Sequence, residues 1–311
     1  MDSFLPVTAQ DYKSVLDCKS KIIKTRLGDV ECAIYGEGPA ILAVHGGGAG
    51  GFLSGLAMSE CFIKNGFQII APSRPGYFRT SLERGVTLEQ QADLLIALLD
   101  ALKIDSIAVL GASAGGPPSY LMAHYYPKRV SALIEIDSCS LHYTKGQEIT
   151  KLQQKIFLSQ PGLWLTNFFA KYFPTATVKS FLKAESTLGK HELKQRVKNI
   201  VKDPVKLAFI QTFTKIMSQY SLQKEGTLND LDRLFEIDKL TLDKIICPTL
   251  IIHGDADFDV PLSNAEYAHK SIKGSELKII SKGSHLGFWV SDDAENVQKE
   301  SVEWLRDHIG K

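Results

Sequence analysis

A serine, a histidine and a carboxylate can together make a hydroxyl into a nucleophile. The imidazole takes the proton, and the carboxylate orients the ring and stabilises its charged form. This 311-residue chain carries those three residue types in a setting that suits the chemistry. Ser113 lies in "VLGASAGGPP" (109–118), at the centre of G-A-S-A-G between Gly111 and Gly115. An apolar "IAVL" precedes it and a helix-compatible "GGPPSYLMAHYY" follows, which places the serine on a strand-to-helix turn. Such a turn strains the backbone at the serine, and small residues two positions to either side avoid clashes. Pro117 and Pro118 fit the first turn of the following helix, whose amides have no intrahelical acceptor. Those amides and the positive end of the helix dipole face any anion that develops at Ser113.

The partners must come from loops at the carboxyl ends of later strands. "IIHGDADFDVP" (251–261) offers Asp255, Asp257 and Asp259, and "IISKGSHLGFW" (279–289) offers His285. Asp137, at the end of "LIEID", is a further acid candidate. His253 is expected to pack at a strand end, and Asp255 and Asp259 suit turn capping.

The elements that must position these residues can be read from hydropathy. Short apolar runs at 40–46, 67–73, 106–113, 130–137, 247–255 and 276–281 read as buried strands of a mostly parallel sheet. Between two of them, Thr87 and Gln90 form a T-x-x-Q capping box. Leu88, Ala92, Leu95, Leu99 and Leu102 then make one apolar helical stripe. Alternation of strand and helix predicts an α/β fold with right-handed crossovers. From about 140 to 240 the strand signals stop and helical segments follow one another. The expected organisation is therefore a core of 1–139 and 241–311 with a helical cap, 140–240, inserted over the sheet's edge. That insertion holds 16 Lys and Arg against 9 Asp and Glu, although the whole chain carries only +1. Trp164, Phe168, Phe169, Tyr172 and Phe173, at helical spacing, are the candidates for an apolar substrate wall there.

Together the elbow, the acid loop and His285 resemble the α/β-hydrolase family over nearly the whole chain. The family's G-x-x-D-x-x-V-P pattern matches "GDADFDVP" with Gly254 and Asp257 in register, which implies Asp257 as the acid and Asp255 as the fallback. His285 is followed four residues later by Trp289, as in several members. The H-G-G-G start of "VHGGGAGG" (44–51) is similar to the family's oxyanion loop and implies Gly47 and Ala114 N–H groups as oxyanion donors. A phosphate-cradling loop would want G-K-[ST], which is missing here. "SRPGYFRTS" (73–81) departs from the usual D-x-P-G-x-G-x-S at Ser73, Phe78 and Thr80. The resemblance implies a serine hydrolase acting on a carboxylic ester or related acyl bond, without metal or organic cofactor. The longer glycine loop also resembles that of hydrolases cleaving carbon–carbon bonds in ring-fission products. For that reaction a cap arginine, Arg196 or Arg233, would have to hold a substrate carboxylate.

Composition narrows the remaining classes. A net charge of +1 gives no nucleic-acid footprint. The five cysteines, Cys18, Cys32, Cys61, Cys139 and Cys247, have no C-x-x-C spacing, which favours free thiols in a reducing compartment. No apolar run reaches the ~18 residues of a membrane span, and the N-terminus lacks the pattern of a signal peptide. The expectation is a cytoplasmic protein with a small-molecule substrate.

Overall fold

The computed structural model describes residues 3–144 and 172–309. Its strands are β1 (Lys21–Thr25), β2 (Gly28–Tyr35), β3 (Ala40–Val44), β4 (Gln68–Pro72), β5 (Ile107–Ala112), β6 (Val130–Ile136), β7 (Thr249–Gly254) and β8 (Glu276–Ile280). They form one sheet in the order β1-β2-β4-β3-β5-β6-β7-β8. β1 pairs with β2, and β2 with β4, antiparallel; every other pair is parallel. The six expected strands are all present.

The β1–β2 hairpin was not expected from the sequence. β1 is an edge strand with Lys21 and Lys24 in a polar run, and its exposed and half-buried positions give no apolar run to detect. Lysines on an edge discourage pairing with another chain.

Helix α1 (Ala9–Ser14) precedes β1, and α2 (Phe52–Met58), α3 (Glu60–Lys64), α4 (Leu88–Leu102) and α5 (Gly116–Tyr125) lie between β3 and β6. The apolar runs in the strands follow from this covering of both sheet faces. Ile41 and Ala43 of β3 join one core layer, and Leu42 and Val44 join the other. The capping box of α4 is formed as expected, with the Gln90 N–H donating to Thr87 Oγ1 at 3.2 Å.

Between β6 and β7 the described residues form α6 (Pro174–Glu185), α7 (Lys190–Lys202), α8 (Pro204–Met217) and α9 (Lys224–Glu236). Of the stretch expected to be helical, 140–240, residues 145–171 lie outside the described residues. α9 carries a glycine, Gly226, in its first turn. After β7 come α10 (Ser263–Ser271), α11 (Gly287–Val290) and α12 (Ala294–His308). Among the described residues, no helix is long and apolar enough to cross a membrane.

Two of the intervening helices are tied to the sheet layer. α8 packs on α1, where Phe209 meets Tyr12 edge-on at 5.2 Å and Thr212 donates to the Tyr12 carbonyl at 3.1 Å. At the start of α9, the Gly226 N–H donates to the Gly76 carbonyl at 2.9 Å. A methyl added to Gly226 would lie 2.2 Å from the Tyr77 ring, so only glycine allows this approach. Gly226→Ala is therefore expected to lower the unfolding free energy by about 1–3 kcal/mol, the usual cost of overpacking. Urea denaturation checks it, through a lower midpoint at an unchanged slope.

Candidate active site

Ser113 sits at the tip of β5 with φ of 53°, a left-handed conformation that costs a non-glycine residue energy. One 3-10 turn, Ser113–Gly115, leads into α5, whose first turn holds Pro117 and Pro118. The flanking glycines have specific neighbours. A methyl on Gly115 would lie 2.2 Å from the Val44 carbonyl, and one on Gly111 would lie 2.5 Å from Glu135 Oε2. The elbow thus packs directly against β3 on one side and β6 on the other.

His285 Nε2 lies 2.9 Å from Ser113 Oγ, and its Nδ1 lies 2.7 Å from Asp257 Oδ2, both within hydrogen-bond distance. The second Asp257 oxygen, Oδ1, accepts the N–H groups of Asp259 at 2.7 Å and Val260 at 2.9 Å. That pair of amides fixes the carboxylate plane. Burial works against a charge on His285, but Asp257 outweighs it, aided by Asp259 and Asp137, and holds the imidazole well above its usual range. Asp259 adds a second carboxylate oxygen 3.6 Å from His285 Nε2.

The other acid candidates do different work. Asp255 is exposed and accepts the N–H of Lys282, 27 residues away in the loop after β8, a tie between loops rather than the expected cap of its own turn. Asp259 accepts the Tyr143 hydroxyl at 2.8 Å, a longer-range tie than the expected turn cap. Asp137 is buried and accepts the Gly254 N–H at 2.8 Å; burial first, then the nearby Asp257, pushes its carboxyl well up toward the neutral form. His253 is fully buried with Nε2 on the Val260 carbonyl, and burial keeps it below its ordinary value. Asp137, His253 and Asp257 offer ligand atoms within 4.8 Å of one another. The bonds of Asp257 to His285 and to two amides account for this grouping as backing for the imidazole.

The glycine loop after β3 runs beside the elbow. A methyl on Gly46 would lie 3.1 Å from Ser113 Cβ, and one on Gly47 would lie 3.4 Å from Ala114 Cβ. Gly47, Ala114 and Ser113 line a small cavity of about 180 Å³ with Tyr143, Asp230 and Leu234. Gly47 and Ser113 also border a larger cavity of about 350 Å³ walled by Met58, Phe209, Phe213, Met217 and Trp289. Phe209 stacks on Trp289 at 5.3 Å and on Phe213 at 5.8 Å.

The aromatics singled out in the sequence, which could equally pack within the cap, are not among the described lining residues. Trp164, Phe168 and Phe169 lie outside the described residues, and Tyr172 and Phe173 are more than half exposed. The aromatic pair at 209 and 213 was legible as an i, i+4 pair in "AFIQTF". Arg196 pairs with Asp292, and Arg233 with Glu236; neither lines the two cavities. At the departure of Ser73 from the family pattern, the buried Glu31 of β2 supplies a carboxylate instead, accepting from Ser73 Oγ at 3.2 Å and from the Arg79 N–H at 3.0 Å.

Residues 39–292 match the model of the alpha/beta hydrolase fold family, and the chain belongs to that family. It is 31% identical to the uncharacterized hydrolase YcgS of Bacillus subtilis, over 86% of this chain and 91% of the relative. It is 26% identical to a 2-hydroxy-6-oxo-6-phenylhexa-2,4-dienoate hydrolase of Burkholderia cepacia, over 84% of this chain and 86% of the relative. Among solved structures, an alpha/beta hydrolase fold protein from Nakamurella multipartita superposes with a TM-score of 0.87 at 37% identity, covering 93% of this chain and 99% of the other.

The charges around His285 make its titration a test of the site. Its NMR midpoint is expected above the ordinary ~6.5 of histidine, and Asp259→Asn should lower it by removing one of the three carboxyls that raise it. Because folding raises this pKa, the stabilising contribution is complete below the unfolded value and is lost as pH rises through the folded one. An unchanged midpoint in the variant would show that Asp259 does not act on the ring.

Proposed function

We propose that this chain is a serine hydrolase that cleaves a carboxylic ester or related acyl bond of a small, largely apolar substrate. The observation that carries the proposal is the continuous hydrogen-bonded run Ser113–His285–Asp257 opening into an apolar cavity. Ser113 Oγ attacks the carbonyl while His285 Nε2 takes its proton. Asp257 holds the ring in the tautomer that leaves Nε2 free to accept. The Gly47 and Ala114 N–H groups receive the oxyanion, and one such donor is typically worth ~10²–10³ in rate. His285 then protonates the leaving alcohol, and a water repeats the sequence on the acyl-enzyme. In the same proposal, 140–240 is a cap over a core of 1–139 and 241–311, and the stacked Phe209, Phe213 and Trp289 receive the acyl group.

Electrostatics support a neutral substrate. Glu185 and Asp259 border the larger cavity and Asp259 also borders the smaller, whereas the charge of Asp230 is met by Arg74 and burial favours the proton on Asp137. Carboxyls at this distance would repel an anion unless a cation intervened. The second reading, hydrolysis of a carbon–carbon bond, is favoured by the likeness to the dienoate hydrolase. It would need a cation to hold the substrate carboxylate, and Arg196 and Arg233 are engaged elsewhere.

A fluorophosphonate probe is expected to add once, on Ser113, by intact mass and peptide mapping. Ser113→Ala should abolish labelling and lower kcat on p-nitrophenyl esters by about 10⁴-fold or more. A panel of esters graded by acyl length, run beside vinylogous diketones, decides between the two readings. Labelling at any other residue, or turnover that survives Ser113→Ala, overturns the proposal.

A further inference from the structure

An oxyanion donor works only if its N–H is already aimed when charge develops, because its value lies in not having to reorganise. The Gly47 N–H belongs to the peptide unit whose carbonyl is Gly46 O. In a planar trans peptide these two groups point in opposite directions, so whatever holds Gly46 O aims the Gly47 N–H.

Two donors hold it. His45 Nδ1 lies 2.7 Å from Gly46 O, and Arg74 Nη2 donates to it at 3.3 Å. His45 Nε2 accepts the Arg74 N–H at 3.0 Å, which places the ring proton on Nδ1. Arg74 is fully buried, and each of its guanidinium hydrogens has an acceptor. Nε donates to the His45 carbonyl at 2.8 Å, Nη1 to Gln91 at 3.0 Å, and both Nη atoms reach the two oxygens of Asp230. Tyr77 donates its hydroxyl to the same carboxylate at 2.6 Å. Asp230 lies in α9, 156 residues from Arg74 along the chain. At the far end of the loop, the Gly50 N–H donates at 2.7 Å to Oε1 of Gln223, which immediately precedes α9, and Gln223 Nε2 is anchored on the Ile216 carbonyl.

We infer that Asp230 and Gln223 are positioning residues of the oxyanion loop, gripping it at both ends, so that the hole is formed only when α9 is docked on the Arg74–Tyr77 turn. This deepens the hydrolase proposal and rests on Gly47 being an oxyanion donor. The arrangement also resolves an electrostatic difficulty. A carboxylate beside an oxyanion hole would oppose catalysis, and a methyl on Gly47 would lie only 3.4 Å from Asp230 Oδ2. Bidentate pairing with Arg74 cancels that charge and leaves only its geometric effect.

The two roles predict opposite results. If Asp230 acted through charge alone, Asp230→Asn would leave Arg74 positive beside the hole and raise kcat. A positioning role predicts that kcat falls. The test uses Asp230→Asn, Gln223→Leu and the double variant Arg74→Met/Asp230→Leu, which removes both buried charges together and so spares the fold. Melting curves establish that each variant is folded. With a p-nitrophenyl ester, each is expected to lose about 10- to 100-fold in kcat, somewhat less than deletion of a whole donor, with KM changed less than threefold. Affinity for a boronic acid, whose tetrahedral serine adduct needs the hole, should fall in proportion to kcat. An unchanged or higher kcat in folded variants, or a loss confined to KM, overturns the inference while Ser113→Ala still abolishes turnover. If Ser113→Ala retains both turnover and boronate affinity, the hydrolase proposal fails and this inference with it.

Discussion

The left-handed backbone of Ser113 is the constraint on which the rest of the site is built. A non-glycine residue holds such a conformation only where its surroundings over-determine it. Here they do so by contact: the elbow is wedged between the Val44 carbonyl of β3 and the Glu135 carboxyl of β6, with no room for a side chain at 115 or 111. Burial pushes the Glu135 carboxyl toward its neutral form, and Ser138 Oγ donates to it at 2.6 Å. The sheet centre therefore supports the turn with a hydrogen-bonded carboxyl rather than a buried charge, which would be costly. Because β3, β5, β6, β7 and β8 run parallel, the turn after β5 and the loops after β3, β7 and β8 all open on the same edge, around one hydroxyl.

That edge gathers carboxyls around His285, and hydrogen bonding distinguishes their roles. Asp257 receives two backbone amides on one oxygen and the imidazole on the other, so its charge is solvated by the fold. Asp137 receives one amide and lies deeper, and burial favours its proton. Two adjacent carboxyls cannot both ionise cheaply in a buried site. The two carboxyls differ in their amide donors, two against one, and that difference lies in the D-F-D-V turn after β7 rather than in the identity of the side chains.

Much of this was legible in the sequence because its causes are local. The buried strands read as apolar runs, the α4 cap as T-x-x-Q, and Ser113, Asp257 and His285 as loop residues following strands. The choice among Asp255, Asp257 and Asp259 rested on resemblance alone, since three acids in five residues have no distinguishing periodicity; in the structure Asp257 meets His285 Nδ1, Asp255 the Lys282 N–H and Asp259 the Tyr143 hydroxyl. Other features depend on partners distant in sequence. The β1–β2 hairpin hides in a solvated edge, Glu31 replaces a missing carboxylate from another strand, and the aromatic wall is completed by α8 meeting Trp289.

The Arg74–Asp230 pair is the clearest case of a residue whose meaning is set far away. "SRPGY" shows an arginine just after a strand, where it would ordinarily be solvated. The fold buries it, and the acceptors that make burial tolerable come from three places: the loop after β3, the α4 residue Gln91, and α9. Removing one partner from such a pair leaves a desolvated charge, whereas an exposed pair would contribute little. The helices between β6 and β7 are thus joined to the sheet layer by an interaction that tolerates little displacement. The aromatic wall on α8 and the loop contacts of α9 are linked directly as well, through Gln223, whose Oε1 meets the Gly50 N–H and whose Nε2 donates to the Ile216 carbonyl of α8.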